Sequence, residues 1–259
     1  MDEVETVVER LSQLISDINT KAVQDTVATA ELHAALQSLL LLAQSSHTDT
    51  SQIVATATLS TLNALFTSKS ILLTYSLQTV VVMVYECIFT RNTPGYIIRN
   101  IISTLITVAH QKGNTIGARE CAIALLGMVT ERRTSESTPV ITEIFGIALK
   151  YSKSNEVMVR NACIQSLVSM VKGCGSNFVE NYNEIIKFIP KLASDRAPSI
   201  RISCCKLIHE ISENQYLCQY KFIEVFIPVL TKGLEDEVPS VQDRFAETLA
   251  HVGHCILAF

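Results

Sequence analysis

Three donor side chains share one short stretch of the chain: His251-x-x-His254, with Cys255 directly after. Residues three and four apart on a helix share a face, and imidazole and thiolate are both zinc ligands. A zinc site needs three or four such ligands, and beyond Glu247 no acid stands nearby in sequence to complete one. The stretch therefore reads as two histidines on a helix, and neither a metal nor a cofactor is assigned.

The remaining reactive residues fare no better. Cys204-Cys205 offers adjacent thiols, but bridging neighbours strains the disulfide geometry. His209-Glu210 and Cys121 supply a base and a nucleophile without a third group to orient them; Glu210 reads as facing solvent or a neighbouring turn. Gly173-Cys174-Gly175-Ser176 has no lysine after it and reads as a helix-ending loop, not a phosphate cradle. Arg132-Arg133, followed by the hydroxyl-rich 134–138, offers a phosphorylation site or a contact for an acidic partner, and reads first as a solvated turn. No Rossmann, P-loop, nucleophile-elbow or H-E-x-x-H pattern occurs. No catalytic residue is assigned, and an enzyme is not expected.

Composition narrows the class. A net charge of −4 and a pI near 5.9 are no footprint for nucleic acid, which needs clustered Lys and Arg. Hydrophobic residues make up 48%, yet there are only 9 Gly, 6 Pro and no Trp, which suits packed helices better than a turn-rich sheet protein. Eight cysteines without a C-x-x-C pair read as reduced thiols and so a cytoplasmic chain. The acidic start MDEVETVVER is no signal peptide. The apolar run from Ser70 to Thr90 approaches the length of a membrane span, but it contains Gln78 and Glu86. It reads as a buried helix, so no integral span is expected.

Helical periodicity runs throughout, broken near 20, 47, 68, 93, 114, 135, 154, 176, 196, 215 and 237 by turn residues such as Thr93-Pro94-Gly95 and Gly113-Asn114. The segments repeat. Arg119, Arg160, Arg201 and Gln242 stand 41 residues apart. Each follows an apolar residue and precedes another by seven, as in Ile200-Arg201 and Ile208. Cys163 and Cys204 each stand three residues after a repeated arginine, which marks them as core positions. Pro198 and Pro239 keep the same spacing and fit a helix's first turn. Phe188-Ile189-Pro190-x-Leu192 recurs as Phe226-Ile227-Pro228-x-Leu230. A period of 41 lies in the range of HEAT and armadillo arrays.

Asp195-x-x-Pro198-x-Ile200-Arg201 resembles the HEAT signature, an acid in the turn within a pair followed by a hydrophobic–Arg step. The resemblance implies an Asp/Arg ladder between stacked pairs, carried here by Arg119, Arg160, Asp195, Arg201, Asp236 and Gln242. The ladder is incomplete, since Ser154 replaces one acid and Gln242 one arginine. The expected fold is an all-α solenoid of about six helix pairs forming one domain over 1–259, with a degenerate cap pair at 1–46 and five HEAT-like pairs at 50–256. Ala64-Leu65-Phe66, the run from Asp195-Arg196 to Lys206-Leu207, and Leu230-x-Lys232-x-Leu234-Glu235 further resemble the N-terminal region of the HEAT-repeat-containing protein 5 family. That resemblance implies a piece of a longer protein, clathrin adaptor subunits as partners, and recruitment to Golgi or endosomal membranes through them.

Stacked helix pairs leave two long faces for partners. Second helices usually line the inner one, where Glu120, Gln165, Lys206, Asp243 and Glu247 form a ribbon of mixed charge. The other is the edge of turns bearing Asp195, Arg196, Glu235, Asp236 and Glu237. The expected function is a non-enzymatic protein-binding scaffold. Two alternatives stand beside it. The turn edge resembles that of tubulin-binding TOG arrays, although those place a Trp in the first turn and this chain has none. A nuclear-transport receptor fragment would need an acidic inner ladder, which Lys206 and Arg201 do not supply.

Overall fold

The computed structural model describes residues 93–175, 180–214 and 220–258 without interruption, with 81–82, 84–90 and shorter stretches between 6 and 66 before them. The expected breaks near 20, 47 and 68, much of the 1–46 pair, and most of the Ser70–Thr90 run lie outside the described residues. The chain divides into two compact units, Met1–Ser137 and Thr138–Phe259. Every element among the described residues is helical or a turn. No helix among them is long and apolar enough to cross a membrane.

In the first unit a π-helical turn, Val84–Ile88, is followed by α1 (Gly95–His110), α2 (Ile116–Arg132) and a single turn at Thr134–Ser137. In the second, a 3-10 turn at Thr138–Val140 leads into α3 (Ile141–Tyr151) and α4 (Val157–Cys174). Then come α5 (Tyr182–Ala193), α6 (Pro198–Glu213), α7 (Tyr220–Gly233) and α8 (Pro239–Ala258). The expected breaks near 93, 114, 135, 154, 176, 196, 215 and 237 fall at or beside the ends of these helices.

The two helices of a pair bury different amounts of surface, for a reason visible in their neighbours. α5 is amphipathic and buries one stripe, Tyr182, Ile185, Ile189 and Leu192. α6 packs against α5, α4 and α8 at once. It therefore buries residues around most of its circumference, from Ile200 through Cys204, Cys205 and Leu207 to Ile211. α4 shows the same pattern, with Val159, Ala162, Cys163, Ile164 and Leu167 all buried. A stack of second helices flanked by first helices gives this division, each pair closing the core of the next.

The starts of α2, α4, α6 and α8 (Ile116, Val157, Pro198 and Pro239) keep the 41-residue register. Pro198 and Pro239 each open a helix, where a missing N–H costs nothing. Thr115 caps α2 by accepting from the Ala118 N–H at 3.2 Å. Gly113, at φ 85°, takes the left-handed conformation that lets α1 turn into α2.

The repeated Phe-Ile-Pro-x-Leu is corrected by the packing. Its two copies stand 38 residues apart, out of step with the helices. The buried Ile185 and Ile189 of α5 correspond, 41 residues on, to the buried Phe226 and Leu230 of α7. Phe188 is accordingly half-buried while Phe226 is in the core. Leu192 then corresponds to Gly233. The likeness of the two strings is one of letters and not of position.

Candidate binding faces

The turn edge is built from the repeated arginine upward. Arg160 on α4 donates from Nε and Nη2 to the two oxygens of Asp195, at 3.0 and 2.8 Å. Its Nη1 reaches the Ser154 and Asn155 carbonyls, which close the turn of its own pair. Arg201 faces Asp236 in the same way, donating from Nη2 to Oδ1 at 2.7 Å with Nε in ion-pair contact 2.7 Å from Oδ2, and donates from Nη1 to the Asp195 carbonyl at 2.8 Å. A guanidinium against a carboxylate pairs the two charges where water is excluded. The side chains of Arg201 and Asp236 are only 8% and 10% exposed. The hydrogen bond from Arg201 holds the Asp236 carboxyl below its ordinary range, outweighing burial.

Each acid also shapes its own turn. Asp195 accepts from the Ala197 N–H at 2.8 Å and Asp236 from the Val238 N–H at 3.0 Å. Ser154 does the same for Glu156 at 3.2 Å, so the serine keeps the turn while offering no charge. Gln242 likewise keeps half of the arginine's task, donating to the Asp236 carbonyl at 2.6 Å. Arg119, in the first unit, donates to the Ala109 and Gln111 carbonyls.

Between the first helices and this edge lies a groove of about 920 Å³. All five edge residues expected from sequence line it: Asp195, Arg196, Glu235, Asp236 and Glu237. Asp195 and Asp236 are engaged by arginines, so the exposed Glu235 and Glu237 carry the free acid character. Arg196 is exposed and donates to the Asn155 carbonyl, 41 residues away, at 3.1 Å.

A second groove, of about 550 Å³, runs across α4, α6 and α8. Gln165, Lys206 and Glu247 line it, while Asp243 is exposed but does not. Glu120 lies on α2 of the first unit, half-buried, and burial raises its carboxyl. Repeat-equivalent residues meet here. Lys206 donates to Gln165 at 3.1 Å, Gln165 to Ser203 at 3.4 Å, and Ser203 to Asn161 at 2.6 Å. Arg244 pairs with Glu247 at 2.8 Å on the surface.

The sequence reading missed Ser203, Arg244, His209, Thr248 and His251 in this groove. The 41-residue register points to them, because Ser203 and Arg244 are themselves equivalent. Glu210 does not simply face solvent: it pairs with Lys172 on α4 at 3.1 Å and is largely covered.

In the first unit the basic–hydroxyl segment is not a solvated turn. Arg133 is buried, donates to the Thr90 and Thr93 carbonyls, and forms a fork with Glu136. Ser135 also donates to Glu136. The Arg133 hydrogen bonds bring the Glu136 carboxyl down to about 2. Arg132 lies 3.9 Å over the Tyr85 ring centroid, a cation–π contact.

Cys121, Cys163, Cys174, Cys204 and Cys205 are thiols buried in the core. Burial pushes the Cys121, Cys163 and Cys205 thiols up to about 12, which removes thiolate reactivity. Cys255 is half-exposed, with Sγ 3.4 Å from Nε2 of His251. His251 stacks on His209 with centroids 3.7 Å apart. His254 is exposed.

No family model and no curated protein matches the chain. Solved structures do. An engineered protein aligns with 98% of this chain and 100% of its own at TM-score 0.62 and 14% identity. Another covers 98% of each chain at 0.61 and 13%. A designed armadillo repeat protein, solved in complex with a (KR)4 peptide, covers 93% of this chain and 99% of its own at 0.59 and 14%. The fold is an armadillo-like α-solenoid. At these identities the likeness shows the fold alone, and the resemblance to the HEAT-repeat-containing protein 5 family rests on sequence.

Proposed function

We propose that this solenoid is a non-enzymatic protein-binding scaffold, and that an extended segment of a partner lies along the second helices. The supporting observation is the line of Gln165, Lys206 and Glu247, each 41 residues from the next, across the 550 Å³ groove, where Gln165 and Lys206 touch directly. Packed helices are about 8–10 Å apart and an extended chain rises about 3.3 Å per residue. About three partner residues therefore span each step, and a polar group repeated at each step reads the partner's backbone or alternate side chains. Mixed charge on this face favours a protein over nucleic acid.

The finer reading places the partner among clathrin adaptor subunits, in traffic between Golgi and endosomes, and puts the protein in the cytoplasm with recruitment to those membranes. It is supported by the sequence resemblance. A photo-crosslinking residue at Lys206 or Arg244, followed by capture from lysate and mass spectrometry, tests both levels. Adaptor subunits crosslinked at these positions are the expected result. Tubulin or transport factors would move the pathway to the alternatives. Crosslinks confined to probes at Arg196 and Glu235 would move the binding face to the turn edge.

A further inference from the structure

At one end of the second-helix groove, two helices present donor side chains to each other. His209 and Glu213 stand four apart on α6, and His251 and Cys255 four apart on α8. That spacing puts each pair on one helical face, and α6 and α8 pack directly. Ligand atoms of His209, Glu213 and His251 all lie within 4.8 Å of one another. Within that group, Glu213 Oε1 is 3.8 Å from His251 Nε2, and Cys255 Sγ is 3.4 Å from the same nitrogen.

We propose that His209, Glu213, His251 and Cys255 form a binding site for a divalent transition metal of the zinc class, tying α6 to α8. The inference is independent of the scaffold reading. Tetrahedral zinc holds its ligands at about 2.0–2.3 Å, which sets neighbouring ligand atoms about 3.3–3.8 Å apart. Two of the six separations among the four donors already lie in that range, and the other four close by rotation of the side chains. Glu213 is 54% exposed and free to turn. The imidazoles must turn out of their 10° parallel stack so that their nitrogens converge. Imidazole and thiolate donors select zinc over calcium or magnesium, which take oxygen ligands. His251-x-x-His254 was too sparse in sequence; α6 supplies the missing donors, and the exposed His254 is not among them.

Zinc titration of the full chain at neutral pH, against a chromophoric chelator, tests this. One saturable equivalent is expected. Glu213→Gln and His251→Gln should each weaken it by about tenfold or more, since outer-shell partners alone commonly account for 10–100-fold. Glu213→Gln changes an exposed side chain, so the comparison stands even if His251→Gln does not fold. Cobalt loading should show tetrahedral bands and a thiolate charge-transfer band that vanishes in Cys255→Ser. Equal zinc affinity in the parent and a folded His209→Gln/His251→Gln double variant would overturn the site. A charge-transfer band that survives Cys255→Ser would overturn its ligand set.

Discussion

Gly233 on α7 leaves the space that the Phe245 ring of α8 occupies: a Cβ at 233 would stand 2.1 Å from Cδ1 of Phe245. One repeat earlier the sizes are exchanged. Leu192 stands in the place of Gly233 and Cys204 in that of Phe245, both buried. The core keeps its volume while the large and small partners trade helices, the kind of complementarity that close packing requires.

Gly233→Ala should therefore destabilise the chain by about 1–3 kcal/mol through overpacking. Phe245→Cys should open a cavity and cost about 3–5 kcal/mol. The double variant Gly233→Leu/Phe245→Cys rebuilds the arrangement of the preceding repeat and should recover part of both losses. Urea denaturation of the parent, Gly233→Leu, Phe245→Cys and the double variant reads the coupling; additive losses would show that the two positions are not exchangeable.

Arg201→Ala leaves the Asp236 carboxylate buried without its fork, and breaking such a pair costs about 3–5 kcal/mol. Arg201→Gln with Asp236→Ser copies the natural substitutions at 242 and 154. It keeps the carbonyl clip and the turn while removing both charges. It should cost less than Arg201→Ala, as measured by the same denaturation midpoints.

The arginine forks also set an acid limit. The Asp236 and Glu136 carboxyls are both held below their ordinary values, chiefly by hydrogen bonds from Arg201 and Arg133. A depressed folded pKa adds stability above the unfolded pKa and loses it as pH falls through the folded one. For Glu136 that window runs from its ordinary 4.5 down to about 2. The midpoint should stay level at neutral pH and fall below about pH 4.5. Arg133→Met should flatten the part of that fall due to Glu136, and an unchanged slope would remove Glu136 as a cause.

Thiol labelling should follow burial. Cys121, Cys163, Cys204 and Cys205 are buried with raised pKa values and should resist iodoacetamide in the native protein, reacting only on unfolding. Cys255 should label in the native state. Peptide mapping by mass spectrometry reads each site, and native labelling of Cys163 or Cys204 would contradict their place in the core.

Lys206→Glu and Arg196→Glu each lose one surface hydrogen bond to a repeat neighbour. Changes of that kind usually cost within about 0.5 kcal/mol. The circular-dichroism spectrum and midpoint should stay close to the parent's. Lys206→Glu should weaken capture of partners through the second-helix face more than Arg196→Glu does.

Much of this was written in the order of residues. The register of Arg119, Arg160, Arg201 and Gln242, the helix starts at Pro198 and Pro239, and the helical class all follow from local spacing, because a helix's buried face repeats with its own period. Local spacing also misled: Phe188-Ile189-Pro190 and Phe226-Ile227-Pro228 look equivalent and are not, since only packing against α6 and α8 says which side of the helix each occupies. Arg133 looked like a loop cation because its carbonyl partners, Thr90 and Thr93, lie about forty residues away. The histidines at 209 and 251 belong to separate helices, so no motif could join them. Sequence determined the helices and their period, which depend on neighbours along the chain. Tertiary structure alone decided which side chains meet across them, because those contacts depend on how each helix is rotated against the next.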